Sequence, residues 1–226
     1  MRIAELTRPP TRQSAGMILR KAGYVPSGKG SFATTWVKPG SPFILKLYST
    51  RDRAYSAFVK LVMTTPNRHF PILRGKPIQI NDTYSAIRVE KMPPPPPNFW
   101  DLIKLCGEYL GWLSFIDEGI DVAPLTVQVN EFRKKYRSLA QAIDLMYVHI
   151  IRGNENMMND IDIGNTRMRG NDLVFTDPIG WGGGPAIFGE ADLEPSRDEI
   201  RNIEADRTLK KRGRARNLLF AVVPGN

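Results

Sequence analysis

Five consecutive prolines, Pro93 to Pro97, divide the chain into two differently patterned parts. A proline run lacks backbone N–H donors and fixes φ, so it cannot continue a helix or an interior strand. It predicts an extended connector. Ahead of it, Gly-rich turns alternate with the β-prone stretches 31–37 and 43–48, which predict a hairpin joined by Lys38-Pro39-Gly40-Ser41. Residues 51–64 then place Ala54, Phe58, Leu61 and Val62 at helical spacing before Pro66. Two more strands are predicted near 76–80 and 84–91, across an Asn81-Asp82 turn.

Beyond the prolines the apolar period becomes helical. Residues 99–117 carry Leu102, Cys106, Tyr109, Leu110 and Leu113 along one stripe, and a second helix is predicted over 131–152 through Leu139, Ile143, Met146 and Ile150. A polar loop (153–166), a short strand 173–176, a glycine-rich loop 180–184 and a last helix over 196–212 complete the reading. The expected class is α+β: a small antiparallel sheet with one helix in residues 1–92, the connector 93–97, and a mainly helical part in 98–226.

A chain of 226 residues, 42% hydrophobic and 24% charged, is ordinary for a soluble globular protein and long enough for two lobes around a shared cleft. No apolar run reaches bilayer-spanning length, and Met1-Arg2-Ile3-Ala4-Glu5 carries no apolar signal core. The single cysteine, Cys106, has no partner for an internal disulfide and reads as helix packing in a reducing cytoplasm. His69 and His149 lie far apart without ligand spacing, so zinc chemistry is not expected. The net charge of +9 favours acidic partners (nucleotides, nucleic acid or an acidic protein surface) without choosing among them.

Three segments carry chemistry. In Gly28-Lys29-Gly30-Ser31-Phe32-Ala33, two glycines on a hairpin let backbone amides approach phosphate oxygens without side-chain collision. The same letters also make an ordinary turn, and they are not a Walker motif, which opens a helix. Lys46 stands alone in the apolar strand Phe43-Ile44-Leu45-Lys46-Leu47-Tyr48. Such a lysine either reaches solvent from an edge or holds an anion inside a cleft. The most specific segment is Asn159-Asp160-Ile161-Asp162-Ile163-Gly164-Asn165, followed by Leu173-Val174-Phe175-Thr176-Asp177-Pro178. Phosphoryl transfer needs a carboxylate to accept a hydroxyl proton and oxygen ligands for magnesium. An Asp-x-x-x-x-Asn stretch, then a short apolar strand ending in Asp, supplies both.

In these segments, from Gly28 to Pro178, the chain resembles the protein-kinase-like superfamily. Its small size and Thr176-Asp177-Pro178 are most like the early protein kinases of podovirus-type bacteriophages. The resemblance implies a two-lobed protein-kinase-like fold with a small antiparallel-sheet N-lobe and a shortened, mainly helical C-lobe. It implies ATP and magnesium as cofactors. Gly28 and Gly30 would lie over the phosphates with Phe32 capping the loop, and Lys46 would contact the α- and β-phosphates. Glu90, Lys91 and Met92 would form the hinge, backbone groups of Glu90 and Met92 bonding adenine. Asp160 would be the catalytic carboxylate, with Asn165 and Asp177 holding the metal.

The chain departs from that pattern at identifiable places. No glutamate lies between Lys46 and Glu90 to pair with the strand lysine; the acid nearest the intervening helix is Asp52. Met158-Asn159 replaces His-Arg, and residues 178–195 contain no Ser, Thr or Tyr, so no switching by phosphorylation of that loop is expected. Asp177-Pro178-Ile179 replaces Asp-Phe-Gly, and proline there disfavours an in/out swing. Asp162 is either a third metal ligand or an exposed turn acid. Basic residues cluster at 207–216, which fits an RNA, DNA or acidic-protein partner or else a solvated helix.

The function expected from the resemblance is a phage-encoded Ser/Thr protein kinase acting on host transcription or RNA-processing proteins in the bacterial cytoplasm, with no membrane partner. The alternatives are a small-molecule phosphotransferase and a catalytically weak kinase fold that binds and inhibits a host protein.

Overall fold

The computed structural model describes residues 15–30, 32–80, 84–119 and 123–182. The expected Asn81-Asp82 turn, the helix over 196–212 and the basic cluster 207–216 lie outside the described residues, as do Ser31, Gly183 and Gly184. The fold is α+β. The first part contains α1 (Ala15–Lys21), β1 (Val25–Lys29), β2 (Ala33–Val37), β3 (Phe43–Ser49), α2 (Arg53–Thr64), β4 (Leu73–Gln79) and β5 (Tyr84–Glu90). Its strands form one antiparallel sheet in the order β1-β2-β3-β5-β4.

Strand β3 sits at the centre of that sheet, and its two-residue side-chain period decides where Lys46 goes. Leu45 and Leu47 join Trp36, Tyr84 and Ala86 on the outer face, where Ala15 and Leu19 of α1 cover them. Tyr48 therefore faces the other way, into the main core with Ile87, Val89 and the buried side of α2, and Ile44 packs there too. Lys46 shares that inner face and lies opposite Thr35 and Ile87. The β2–β3 connection turns at Gly40, whose φ of 76° suits glycine, and Ser41 N–H donates to Lys38 O at 3.0 Å.

Helix α2 starts where Asp52 caps it. The Asp52 carboxylate accepts from Tyr55 N–H at 2.9 Å, satisfying one of the free donors of the first turn. The helix buries Ala54, Tyr55, Phe58, Val59, Leu61 and Val62. This is the helix expected over 51–64.

The proline connector is extended as far as Pro96, and a single 3-10 turn, Pro97–Phe99, then leads into α3 (Trp100–Asp117). Pro97 thus belongs to the turn, because proline's fixed φ suits the first position of a helical turn. The connector is tied at both ends. Lys91 N–H donates to Pro42 O at 2.9 Å, and Met168 N–H donates to Pro93 O at 3.0 Å.

The helix expected over 131–152 is two helices, α4 (Ala123–Lys135) and α5 (Arg137–Met146), broken at Tyr136, whose φ of −126° is not helical. A π-helical turn, Tyr147–Ile151, extends α5. Tyr109 of α3 stacks on Phe132 of α4 at 4.3 Å between ring centroids and donates its hydroxyl to Asp144 of α5 at 2.6 Å. Cys106 is fully buried in α3, and burial pushes its thiol up to about 12.

Two short ribbons complete the second part. β6 (Met157–Asn159) pairs with β9 (Ile179–Trp181), and β7 (Thr166–Arg169) with β8 (Asp172–Phe175). The segments read as a polar loop and a glycine-rich loop therefore contain strands: Gly180 and Trp181 are in β9. A Cβ on Gly180 would lie 3.1 Å from Met158 Cγ, so the glycine serves close strand approach there.

Two residues stitch the sheet to the second part. His69, in the loop after α2, donates from Nδ1 to Leu173 O at 2.7 Å and accepts at Nε2 from Ser138 Oγ at 2.9 Å. Arg169 of β7 pairs with the Glu90 carboxylate and donates to Arg68 O and Phe70 O, each at 3.0 Å. Among the described residues no helix is long and apolar enough to cross a membrane.

Candidate active site

A cleft of about 470 Å³ opens between the sheet and the ribbons. Gly28, Lys29, Gly30, Val37, Ile44, Val89 and Glu90 line it from the sheet side, Lys91 and Met92 from the start of the connector, and Asn165, Arg167, Thr176 and Asp177 from the second part. The sheet side joins apolar Val37, Ile44 and Val89 to Lys29 and Lys46, and the far side carries Arg167 and Asp177.

Lys46 reaches across this cleft. Its side chain is nearly buried, and its Nζ lies 2.6 Å from Asp177 Oδ2. A buried ammonium requires such a partner. The edge reading of Lys46 is thereby excluded, since β3 is central and the residue is 7% exposed.

The loop from Asp160 to Asn165 is held by its own polar side chains. Asn165 Nδ2 donates to Asp160 O and to Asp160 Oδ2, both at 2.9 Å. Asn165 O in turn accepts from Thr176 N–H at 2.8 Å and from Thr176 Oγ1 at 2.9 Å, fixing the approach to Asp177. Asp162 Oδ1 accepts from Asn165 N–H at 2.7 Å, and its carbonyl accepts from Thr166 Oγ1 at 2.9 Å. Asp162 is exposed and accepts within the turn.

Asp160 is exposed and is bonded to Asn165, which lines the cleft, so an incoming group can meet it. Its carboxyl is pushed above the usual range by partial desolvation and by the negative charges of Asp162 and Asp177, against the Asn165 hydrogen bond and Lys46. Asp52 is pushed up to about 6, first by burial and further by Asp177.

These groups offer oxygen donors. Asn165 Nδ2 is engaged by Asp160, which leaves the amide oxygen, and Asp177 has a second carboxylate oxygen beside the one paired with Lys46. A hard divalent cation such as magnesium fits that donor set and would relieve the crowding of negative charge felt by Asp160. Among the described residues no group of three or more His, Cys, Asp and Glu is gathered, so water and ligand oxygens would complete the shell.

Lys46, Asp160, Asn165 and Asp177 thus come together, and Gly28, Gly30, Glu90 and Met92 line the same cleft. Phe32 stays off its wall: it is half-buried, with its carbonyl accepting from Ser49 N–H at 3.0 Å. The Glu90 side chain turns to Arg169, so its part in the cleft falls to the backbone. Asp52 makes no ion pair with Lys46 among those the described residues form; it caps α2.

Three residues escaped the sequence reading. Asn159 donates to Gly107 O at 3.0 Å and accepts from Ile161 N–H at 3.0 Å, anchoring the loop to α3. Arg167 lines the cleft, donating to Gly164 O and Thr166 O at 2.8 and 2.6 Å. Tyr55 lines the cleft with its ring 3.6 Å from Lys46 Nζ. Neighbouring Gly107 was the available signal for Asn159, since a Cβ there would lie 3.2 Å from its Nδ2. The chain matches no protein-family model and no curated protein.

Proposed function

We propose that this protein is an ATP- and magnesium-dependent phosphotransferase with a protein-kinase-like fold, acting on protein hydroxyl groups. The observation that carries this reading is the convergence of Lys46, Asn165 and Asp177 on one cleft beside a glycine-bearing hairpin, with Asp160 bonded to Asn165; the four residues come from three separate segments. A central-strand lysine, an exposed carboxylate and two further oxygen donors are the groups that transfer of a phosphoryl unit needs.

The residues divide the work by position. Lys46 presents its ammonium to anionic oxygens in the cleft. The amides around Gly28 and Gly30 give a roof without bulky side chains, and Val37, Ile44 and Val89 supply the apolar slot for a base. Asp160, exposed beside Asn165, accepts the proton of an incoming hydroxyl, and Asn165 fixes the orientation of its carboxylate. Asn165 and Asp177 would hold magnesium, which neutralises phosphate charge when bound.

A host bacterial protein is the acceptor suggested by the phage-kinase resemblance. The exposure of Asp160 agrees with a macromolecular hydroxyl. The test is the full chain with radiolabelled ATP, magnesium and bacterial lysate, beside Asp160→Ala. Labelled protein bands lost in the variant support the proposal. Label found only in small molecules would redirect it to a small-molecule acceptor, and ATP binding without transfer would leave a binding protein.

A further inference from the structure

A kinase-like reading leaves one position unfilled: nothing on α2 offers a glutamate to Lys46. Resting on the phosphotransferase reading, we infer that the ring of Tyr55 takes that part, holding the Lys46 ammonium in place for phosphate.

The geometry is specific. Lys46 Nζ lies 3.6 Å from the centroid of the Tyr55 ring and 2.6 Å from Asp177 Oδ2, so it is held between an aromatic face and a carboxylate. Tyr55 is 2% exposed and still lines the cleft. Its ring is fixed by an edge contact with Tyr48, 4.8 Å between centroids at 70°, and by Phe58 at 6.4 Å. Its backbone is fixed by the Asp52 cap. Asp52, the only acid at this end of α2, is thereby occupied in holding the tyrosine.

The physical distinction lies in what each partner leaves free. An ammonium has three N–H donors and no acceptor. A carboxylate partner in a buried site holds such a charge tightly, and Asp177 does so at 2.6 Å on one side of Lys46. A ring face attracts the charge through its quadrupole without a competing lone pair. Lys46 is then restrained from both sides and keeps N–H groups for phosphate oxygens. Tyr55 acts through Lys46, as a positioning residue.

Two measurements on the full chain test this. Lysine-selective carbon-13 labelling, with the Lys46 signal assigned by Lys46→Arg, should show its ε-protons shifted upfield by the ring. That shift should survive in Tyr55→Phe and vanish in Tyr55→Leu; an unshifted wild-type signal overturns the contact. Calorimetric titration with ATP and magnesium should give wild-type affinity for Tyr55→Phe and roughly tenfold weaker binding for Tyr55→Leu. Urea unfolding of the same samples checks that both variants are folded. Unchanged affinity in a folded Tyr55→Leu removes the positioning role and leaves the nucleotide reading standing. A wild-type protein that binds no ATP, with a shifted Lys46 signal, removes the nucleotide reading and reduces the Tyr55 contact to packing.

Discussion

Asn165 gives both bonds of its side-chain nitrogen to one residue: Nδ2 donates to the backbone carbonyl and to the carboxylate of Asp160, each at 2.9 Å. The bond to the carboxylate opposes the desolvation and the Asp162 and Asp177 charges that raise the Asp160 pKa. Asn165→Asp removes the donor and adds a third neighbouring negative charge. Phosphoryl transfer should fall about a hundredfold, on the scale of a lost general base. Its acidic limb should also move to higher pH, because Asp160 must be ionised to accept a proton and would ionise later. A pH series of labelled-ATP transfer checks both.

Asp52 makes a different pH dependence, one of stability. Its carboxyl stands near 6 when folded, above an ordinary aspartate, so the folded chain binds the extra proton. Stability linked to this group is therefore present at acid pH and is lost as pH rises from the ordinary aspartate range through about 6. Asp52→Asn keeps an N-cap acceptor for Tyr55 N–H and removes the buried charge. At neutral pH the variant should be more stable by about 1 kcal/mol, the gain shrinking toward pH 4. Urea unfolding across that range would overturn this if the variant were the less stable protein at neutral pH.

Lys46 and α2 were legible because each obeys one period. A lone charge among apolar strand residues, and apolar positions at helical spacing before Pro66, have few other readings. Helix α4 was hidden because only Val129 and Phe132 are buried, while Pro124, Thr126 and Val127 read against a helix. The short α1 and the β6–β9 ribbon were missed for a different reason: their few residues are fixed by what they pack on, as Gly180 is by Met158. Within the site, a search for an acid beside Lys46 could not find Tyr55. A tyrosine on an apolar helix face reads as core, and it is core on every side but one.

Arg169 and Arg68 lie close together and both pair with acids, yet their contributions should differ. Arg68 is largely exposed, and its pair with Asp172 is open to water, so Arg68→Met should change stability by about 0.5 kcal/mol or less. Arg169 is less exposed and joins Glu90 at the end of β5 to two carbonyls of the loop before β4. Arg169→Met leaves the Glu90 carboxylate, 14% exposed, and both carbonyls without that donor. A loss of about 2 kcal/mol is expected, below the cost of breaking a fully buried pair because water still reaches the guanidinium. Equal midpoints for the two variants in urea would contradict this ranking.

The two glycines of the hairpin separate a structural requirement from a functional one. A Cβ on Gly28 would lie 2.7 Å from Thr35 Oγ1, at a place where the β1–β2 register shifts. Thr35 is β-branched and already accepts from Ser27 Oγ, so it can yield only by turning its side chain and breaking that bond. Gly28→Ala should therefore lower stability by about 1 kcal/mol whether or not a ligand is bound. A Cβ on Gly30 would meet only Ala33 O at 3.7 Å, an ordinary contact. Gly30→Ala should unfold like the parent chain and, on the phosphotransferase reading, lose ATP affinity, because Gly30 lines the cleft where a side chain would crowd a bound phosphate. Unfolding curves and ATP titrations of both variants distinguish the cases. A Gly30→Ala protein with unchanged ATP affinity would mean that this loop does not cover the phosphates.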